Sequence, residues 1–126
     1  MISALRLATA AMMIATMPVS ILPAYAHHGW GGQEEKVTDM TGTVVQGVSL
    51  AGPHATMKIK VKNEVWDITL APPPRAARSG LKEGLIPVGD TVTVRGNRST
   101  EPGRHEMKTI YVRHGGAEYH VYPDRE

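Results

Sequence analysis

The sequence predicts a small, mainly β domain with one short helix after its third strand. Three observations carry that prediction. Beyond residue 26 the chain holds 15 Val and Ile residues against 4 Leu, and β-branched side chains lose little on a pleated surface. Several segments alternate apolar and polar residues with the period of two that a half-buried strand shows. The one stretch that breaks the alternation opens with Pro72-Pro73-Pro74.

The elements follow in chain order. A first strand runs up to the turn Gly52-Pro53-His54. In the second, Met57, Ile59 and Val61 alternate with Lys58, Lys60 and Lys62, which leaves one face wet. In the third, Trp66, Ile68 and Leu70 alternate with Asp67 and Thr69. The short polar turn around Asn63 makes these two a hairpin, with Trp66 in the core. The prolines stop the third strand, and Arg75 to Glu83 is predicted to form about two helical turns ended by Gly84. Val92 and Val94 mark the fourth strand, after the Gly89-Asp90 turn that Asp90 closes. Ile110 and Val112 mark the fifth, after the Pro102-Gly103 turn, and a last strand spans Glu118 to Tyr122. Three strands, a helix and two or three more strands is the element order of a five- to six-stranded OB-like barrel. A small β-sandwich is the alternative.

Before this domain lies an export signal by every local criterion. Arg6 supplies a positive start, Leu7 to Leu22 is uncharged, and Ala24-Tyr25-Ala26 has the small-x-small form that signal peptidase accepts. A membrane-spanning helix needs about 20 apolar residues, and this shorter run is broken by Pro18. The expectation is therefore a signal peptide over 1–26 cleaved after Ala26, a flexible tail over 27–38 and a single domain over 39–126. It places the protein in a bacterial periplasm with no membrane anchor after cleavage. About 100 residues then remain, enough for one core and no second domain.

Composition excludes whole classes of chemistry. With no cysteine there are no disulfides, thiolate nucleophiles, cysteine zinc sites or iron–sulfur clusters. Removing Arg6 with the signal leaves 13 basic and 12 acidic residues, a net charge of +1, which is no footprint for nucleic acid. Phosphate loop, nucleophile elbow and paired-histidine helix motif are all absent from the sequence.

The histidines are the chemically distinctive residues. Cleavage after Ala26 makes His27 the first residue. Its amino group, its ring and the His28 ring with its amide nitrogen then lie within chelating reach of one ion. Amine and imidazole nitrogens suit Cu(II), which heads the divalent affinity order. The plain alternative is a polar tail that carries two histidines incidentally. His54 sits in the loop after the first strand and His105 in the loop before the fifth, the two loops that flank the usual binding face of the OB fold. Both are candidate metal ligands, His105 the weaker; the alternative is that both are solvated. His114 and His120 look less distinctive. Met107 could add a thioether ligand for Cu(I), though on a strand it belongs in the core. Trp30, in a glycine-rich stretch, either staples the tail to the domain or contacts a ligand. Arg75, Arg78 and Lys82 share a helical face that could hold an anion, unless it is simply solvated.

Taken together, these residues resemble a family of small exported bacterial proteins classed as a domain of unknown function. The features that carry the resemblance are Ala26-His27-His28, a Thr-Gly-Thr-Val strand over 41–44, the Pro53-His54 turn, the Trp66 strand, and Gly-Asp-x-Val-x-Val over 89–94. Glu106-Met107-Lys108-Thr109 and Tyr122-Pro123-Asp124-Arg125 complete it. Gly52 stands where the family often has Asn, and Gly29 precedes Trp30 where a bulky residue is usual. The resemblance implies export and this fold, draws attention to His27, His28 and His54, and brings no activity with it.

The functional expectation is a periplasmic, non-enzymatic binding module whose ligand is copper or another transition metal. His27 and His28 lead the ligand set, with His54 as third ligand. The alternative is an envelope or stress-related interaction module whose barrel face binds a periplasmic protein partner without metal. A third reading is a copper oxidase built on an N-terminal histidine brace, for which a 100-residue barrel with few exposed aromatics is a poor substrate platform.

Overall fold

A computed structural model describes residues 30–126. Its strands are β1 (Gln33–Ser49), β2 (Thr56–Val61), β3 (Glu64–Thr69), β4 (Thr91–Ser99), β5 (Glu106–His114) and β6 (Ala117–His120). One helix, α1 (Pro73–Arg78), lies between β3 and β4, and a 3-10 turn (Pro123–Arg125) follows β6. All six strands form a single sheet in the order β3-β2-β1-β4-β5-β6, and a further parallel pairing of β3 with β5 closes five of them into a ring. That is the mainly β architecture, with its helix between the third and fourth strands, that the sequence predicts.

The ring closes because β1 is long and shared. Its first half pairs with β4 and its second half with β2, and Thr43 is opposite both Thr91 and Lys60. At this corner β2 crowds the backbone of β1. A Cβ on Gly42 would lie 2.6 Å from the Lys60 carbonyl oxygen, so only glycine lets β1 turn from one neighbour to the other. The start of β1 corrects the sequence reading: residues 33–38, expected within a flexible tail, are strand. Between the pairs Gln33↔Ser99 and Val37↔Asn97 β1 carries two extra residues. The buried Asn97 side chain compensates the interrupted ladder. Its amide nitrogen donates to the Glu34 carbonyl at 2.9 Å, with those of Glu35 and Lys36 at 3.3 and 3.4 Å.

Alternation builds the interior as expected. Val44 and Val48, Met57 and Ile59, Ile68 and Leu70, Val92 and Val94, and Met107 and Val112 form one buried cluster, joined by Ala76 of α1 and by Leu81 and Ile86. Trp66 is not a fully buried core residue but packs, partly exposed, against this cluster. A bulge in β5 changes one further assignment. Between the pairs Arg95↔Tyr111 and Gly96↔Thr109 β5 has one more residue than β4. Ile110, which strict alternation would put beside Val112, is buried but outside the main cluster. Its carbonyl accepts the backbone N–H groups of Val121 and Tyr122, so it seats the C-terminal segment.

The helix is shorter than predicted and starts earlier. Pro73 and Pro74 occupy its first turn, where a missing N–H costs nothing. It stops at Gly80 rather than Gly84. Gly80 takes φ +102, and Leu81 N donates to Ala76 O while Gly80 N donates to Ala77 O, the paired bonds of a glycine-terminated helix. The last strand ends at His120, two residues before the predicted Tyr122.

Candidate functional site

His27 and His28 lie outside the described residues. The two loop histidines flank the β2–β3 hairpin at its opposite ends. His54 is half-buried in the β1–β2 connection, directly before Ala55, which exchanges backbone hydrogen bonds with Leu70 and Ala71 beyond the end of β3. His105 precedes β5 and lies beside the start of β3: its carbonyl accepts from Asp67 N, its ring stacks on Trp66 at 5.0 Å, and its Nε2 is 3.5 Å from Glu64. Met107 is fully buried in the core. Among the described residues no group of three or more His, Asp or Glu side chains is placed to hold a metal ion.

What the structure adds is the seat of Trp30. Arg125 lies over the indole at 3.9 Å and Lys108 Nζ is 4.7 Å from the ring centroid. Tyr122 meets the indole edge-on at 5.1 Å and 77°. Two cations against one indole are stabilised by its π-electron density. Two residues on, Gly32 O accepts from both Thr100 N and Thr100 Oγ1. Burial, with Arg125 adding to it, pushes the Lys108 ammonium below the ordinary lysine range. A groove of 260 Å³ continues from Trp30 past Gln33, Glu34, Glu35 and Asn97 to Arg125. Trp30 therefore staples the segment to the domain, one of the two roles the sequence left open.

This seat has a defined position in the sheet. Lys108 is opposite Thr69 on β3, and Thr69 is opposite Thr56 on β2. The backbone of Lys108 is thus two strand spacings, about 10 Å, from that of Thr56, which follows His54 and Ala55. His105 is three residues before Lys108, again about 10 Å along an extended strand.

A family model described as a family of unknown function, DUF6152, matches residues 15–108. The chain belongs to this family. The matched span contains His27, His28, His54 and His105, and it ends at Lys108, so most of β5, β6 and the C-terminal turn lie beyond it. A search of curated proteins finds no match to the chain.

The DUF6152 chain carries a second polar cluster, on the C-terminal side, that sequence reasoning missed. Tyr111 is buried beneath Arg95 and Arg113, whose guanidinium carbons lie 5.1 and 5.6 Å from its ring. Arg95 forms a two-pronged bond to Asp39 at 2.7 and 3.0 Å, and this hydrogen bond holds the Asp39 carboxyl below its ordinary pKa. His120 packs on the same tyrosine at 5.3 Å. Its Nε2 meets Glu118 at 3.0 Å and its Nδ1 is hydrogen-bonded to Glu126. Glu118, two residues before His120 in β6, shares its face and is legible from alternation, whereas Glu126 is not, because the C-terminal turn brings it back to the ring.

The Glu126 hydrogen bond raises the His120 pKa above the ordinary histidine value, burial opposes it, and Glu118 adds to the rise. A raised folded-state pKa contributes stability that is fully present below the unfolded value of about 6.5 and lost as pH rises through the folded value. The side chain is 34% exposed, so solvent screens the pair and the gain stays below ~1 kcal/mol. The melting temperature is expected to fall by a few degrees over that window, and the fall should be absent in His120→Gln. Equal pH profiles for the two proteins would remove His120 as the cause.

Proposed function

We propose that this protein is an exported, periplasmic, non-enzymatic binding module for a transition metal, Cu(II) first. The ligands are the His27 amine and ring and the His28 ring, with His54 as the third residue and His105 as the competing choice. The observation that supports this reading is the anchoring of Trp30. A His-His pair two residues before a side chain clamped by Arg125, Lys108 and Tyr122 has a bounded reach of about 3.5 Å per residue. Lys108, one side of that clamp, stands on β5 three residues after His105 and opposite Thr69, whose own partner Thr56 follows His54 and Ala55. Nitrogen donors alone, with no thiolate in the chain, favour Cu(II) over Cu(I).

The test is a Cu(II) titration of the processed protein starting at His27, followed by electron paramagnetic resonance. Four species are compared: the processed protein, His54→Ala, Trp30→Ala and a free peptide of residues 27–32. The expected result is a one-to-one site tighter than the peptide's by tenfold or more. Its spectrum should change in His54→Ala and become peptide-like in Trp30→Ala. A His105→Ala variant assigns the third ligand if His54→Ala is silent. Identical spectra and affinities for protein, variants and peptide would sink the reading. A protein-interaction module would then stand in its place, and removal of residues 27–29 should spare its partner binding.

A further inference from the structure

A second site emerges from matching the arginines to their partners. In the described residues Arg95, Arg98, Arg104 and Arg113 each meet a carboxylate at distances between 2.7 and 3.4 Å, and Arg125 lies on Trp30. Arg75 and Arg78 stand apart. Arg75 reaches Asp124 only at 4.0 Å, with the Asp124 side chain 77% exposed, and leans on the Tyr122 ring at 5.2 Å. Arg78 forms no ion pair among the described residues.

Both arginines line one cleft of 300 Å³ between α1 and the C-terminal segment, together with Ser79, His120, Val121 and Pro123. That volume is at the small end of the ~300–1,000 Å³ usual for ligand pockets. Val121, fully buried, closes the cleft from behind. His120 contributes no free donor, because Glu118 and Glu126 occupy its two ring nitrogens. Ser79 Oγ already donates to Ala76 O. The donors left for a ligand are the two guanidinium forks, three residues apart on one side of a helical turn, where side chains are neighbours.

We propose that this cleft binds the phosphate or sulfate group of a small anionic ligand, held by Arg75 and Arg78. Each guanidinium presents parallel N–H groups that pair with two oxygens at once. A carboxylate has two oxygens and satisfies one fork. A tetrahedral oxyanion with three terminal oxygens spans both. Asp124 competes for Arg75, so binding displaces it. The site is independent of the proposed metal reading, since it uses neither the N-terminal histidines nor the β1–β2 and β4–β5 loops that carry His54 and His105.

The experiment is titration of the processed protein with inorganic phosphate, sulfate and acetate at constant ionic strength, followed by amide chemical shifts. Phosphate or sulfate is expected to shift residues 75–79 and 120–124 saturably, with acetate at least tenfold weaker; whichever oxyanion binds tighter names the class. Arg78→Ala should lose tenfold or more in affinity. Arg78→Lys, which keeps the charge without the fork, should fall between, and Asp124→Asn should tighten binding. The substituted side chains are exposed, and unchanged spectra elsewhere confirm that each variant is folded. The proposal is overturned by the absence of a saturable shift with either oxyanion, by unchanged affinity in the Arg75→Ala/Arg78→Ala double variant, or by acetate binding equal to phosphate.

Discussion

Replacing Gly96 by alanine is expected to cost ~3 kcal/mol or more, at the upper end of overpacking effects, and to leave little folded protein. Gly96 lies in β4, opposite Thr38 on β1 and Thr109 on β5. A Cβ there would lie 2.1 Å from the Lys108 carbonyl oxygen and 2.9 Å from Met107 Cγ. The first contact is with backbone, so no side-chain rotation relieves it. The bulge at Ile110 begins beside this position, which makes β5 lean over Gly96 more closely than a regular ladder allows. Accommodating one methyl group would mean parting β4 from β5, and the ring opens with them. Urea denaturation followed by circular dichroism measures the effect, with Val88→Ala, at an exposed position, as the reference. A Gly96→Ala midpoint equal to the reference would refute the close approach.

Ile68→Ala is expected to destabilise by about 2–5 kcal/mol, the range for deleting a large buried aliphatic side chain. Ile68 is fully buried and stands opposite Met57 on one side and Met107 on the other. It therefore sits on the seam that closes the ring. That seam is a short parallel pairing of Asp67, Ile68 and Thr69 with Glu106, Met107 and Lys108, whereas β1 and β4 pair along most of β4. A cavity at Ile68 weakens the closure where backbone support is least. Amide hydrogen exchange should show β3 and the start of β5 losing protection before β1 and β4. Val65→Ala on the same strand, where the side chain is 48% exposed, should stay within about 0.5 kcal/mol of wild type. Equal losses at the two positions, or uniform loss of protection, would contradict this account of the seam.

The two variants touch different kinds of information, and they mark what could be read in advance. The inward direction of Met57, Ile59, Ile68, Val92, Val94 and Val112 is legible from their alternation alone, because the strand period is a local property of the backbone. Ile110 misled the same rule. One extra residue shifts every later side chain to the other face, and the bulge arises from a partner strand whose crowding no local pattern records. The α1 stop is intermediate. Both Gly80 and Gly84 take positive φ, and the Ala76–Leu81 contact selected the earlier one. Trp30 stood out in the sequence only because nothing explained it. Its explanation lies in Lys108, Tyr122 and Arg125, between about 80 and 95 residues away.

The mainly β class, the order of the elements, the inward face of most strands and the absence of thiol chemistry are thus written in the chain locally. Each depends on composition or on neighbours a few residues apart. Tertiary structure alone decided that β3 meets β5, that β1 begins at Gln33, that Trp30 is clamped beneath the C-terminal turn, and that Arg75 and Arg78 face a common cleft. These depend on which distant segments share a surface once the core is buried. Local periodicity sets which way a side chain points, and only closure of the ring sets what it meets.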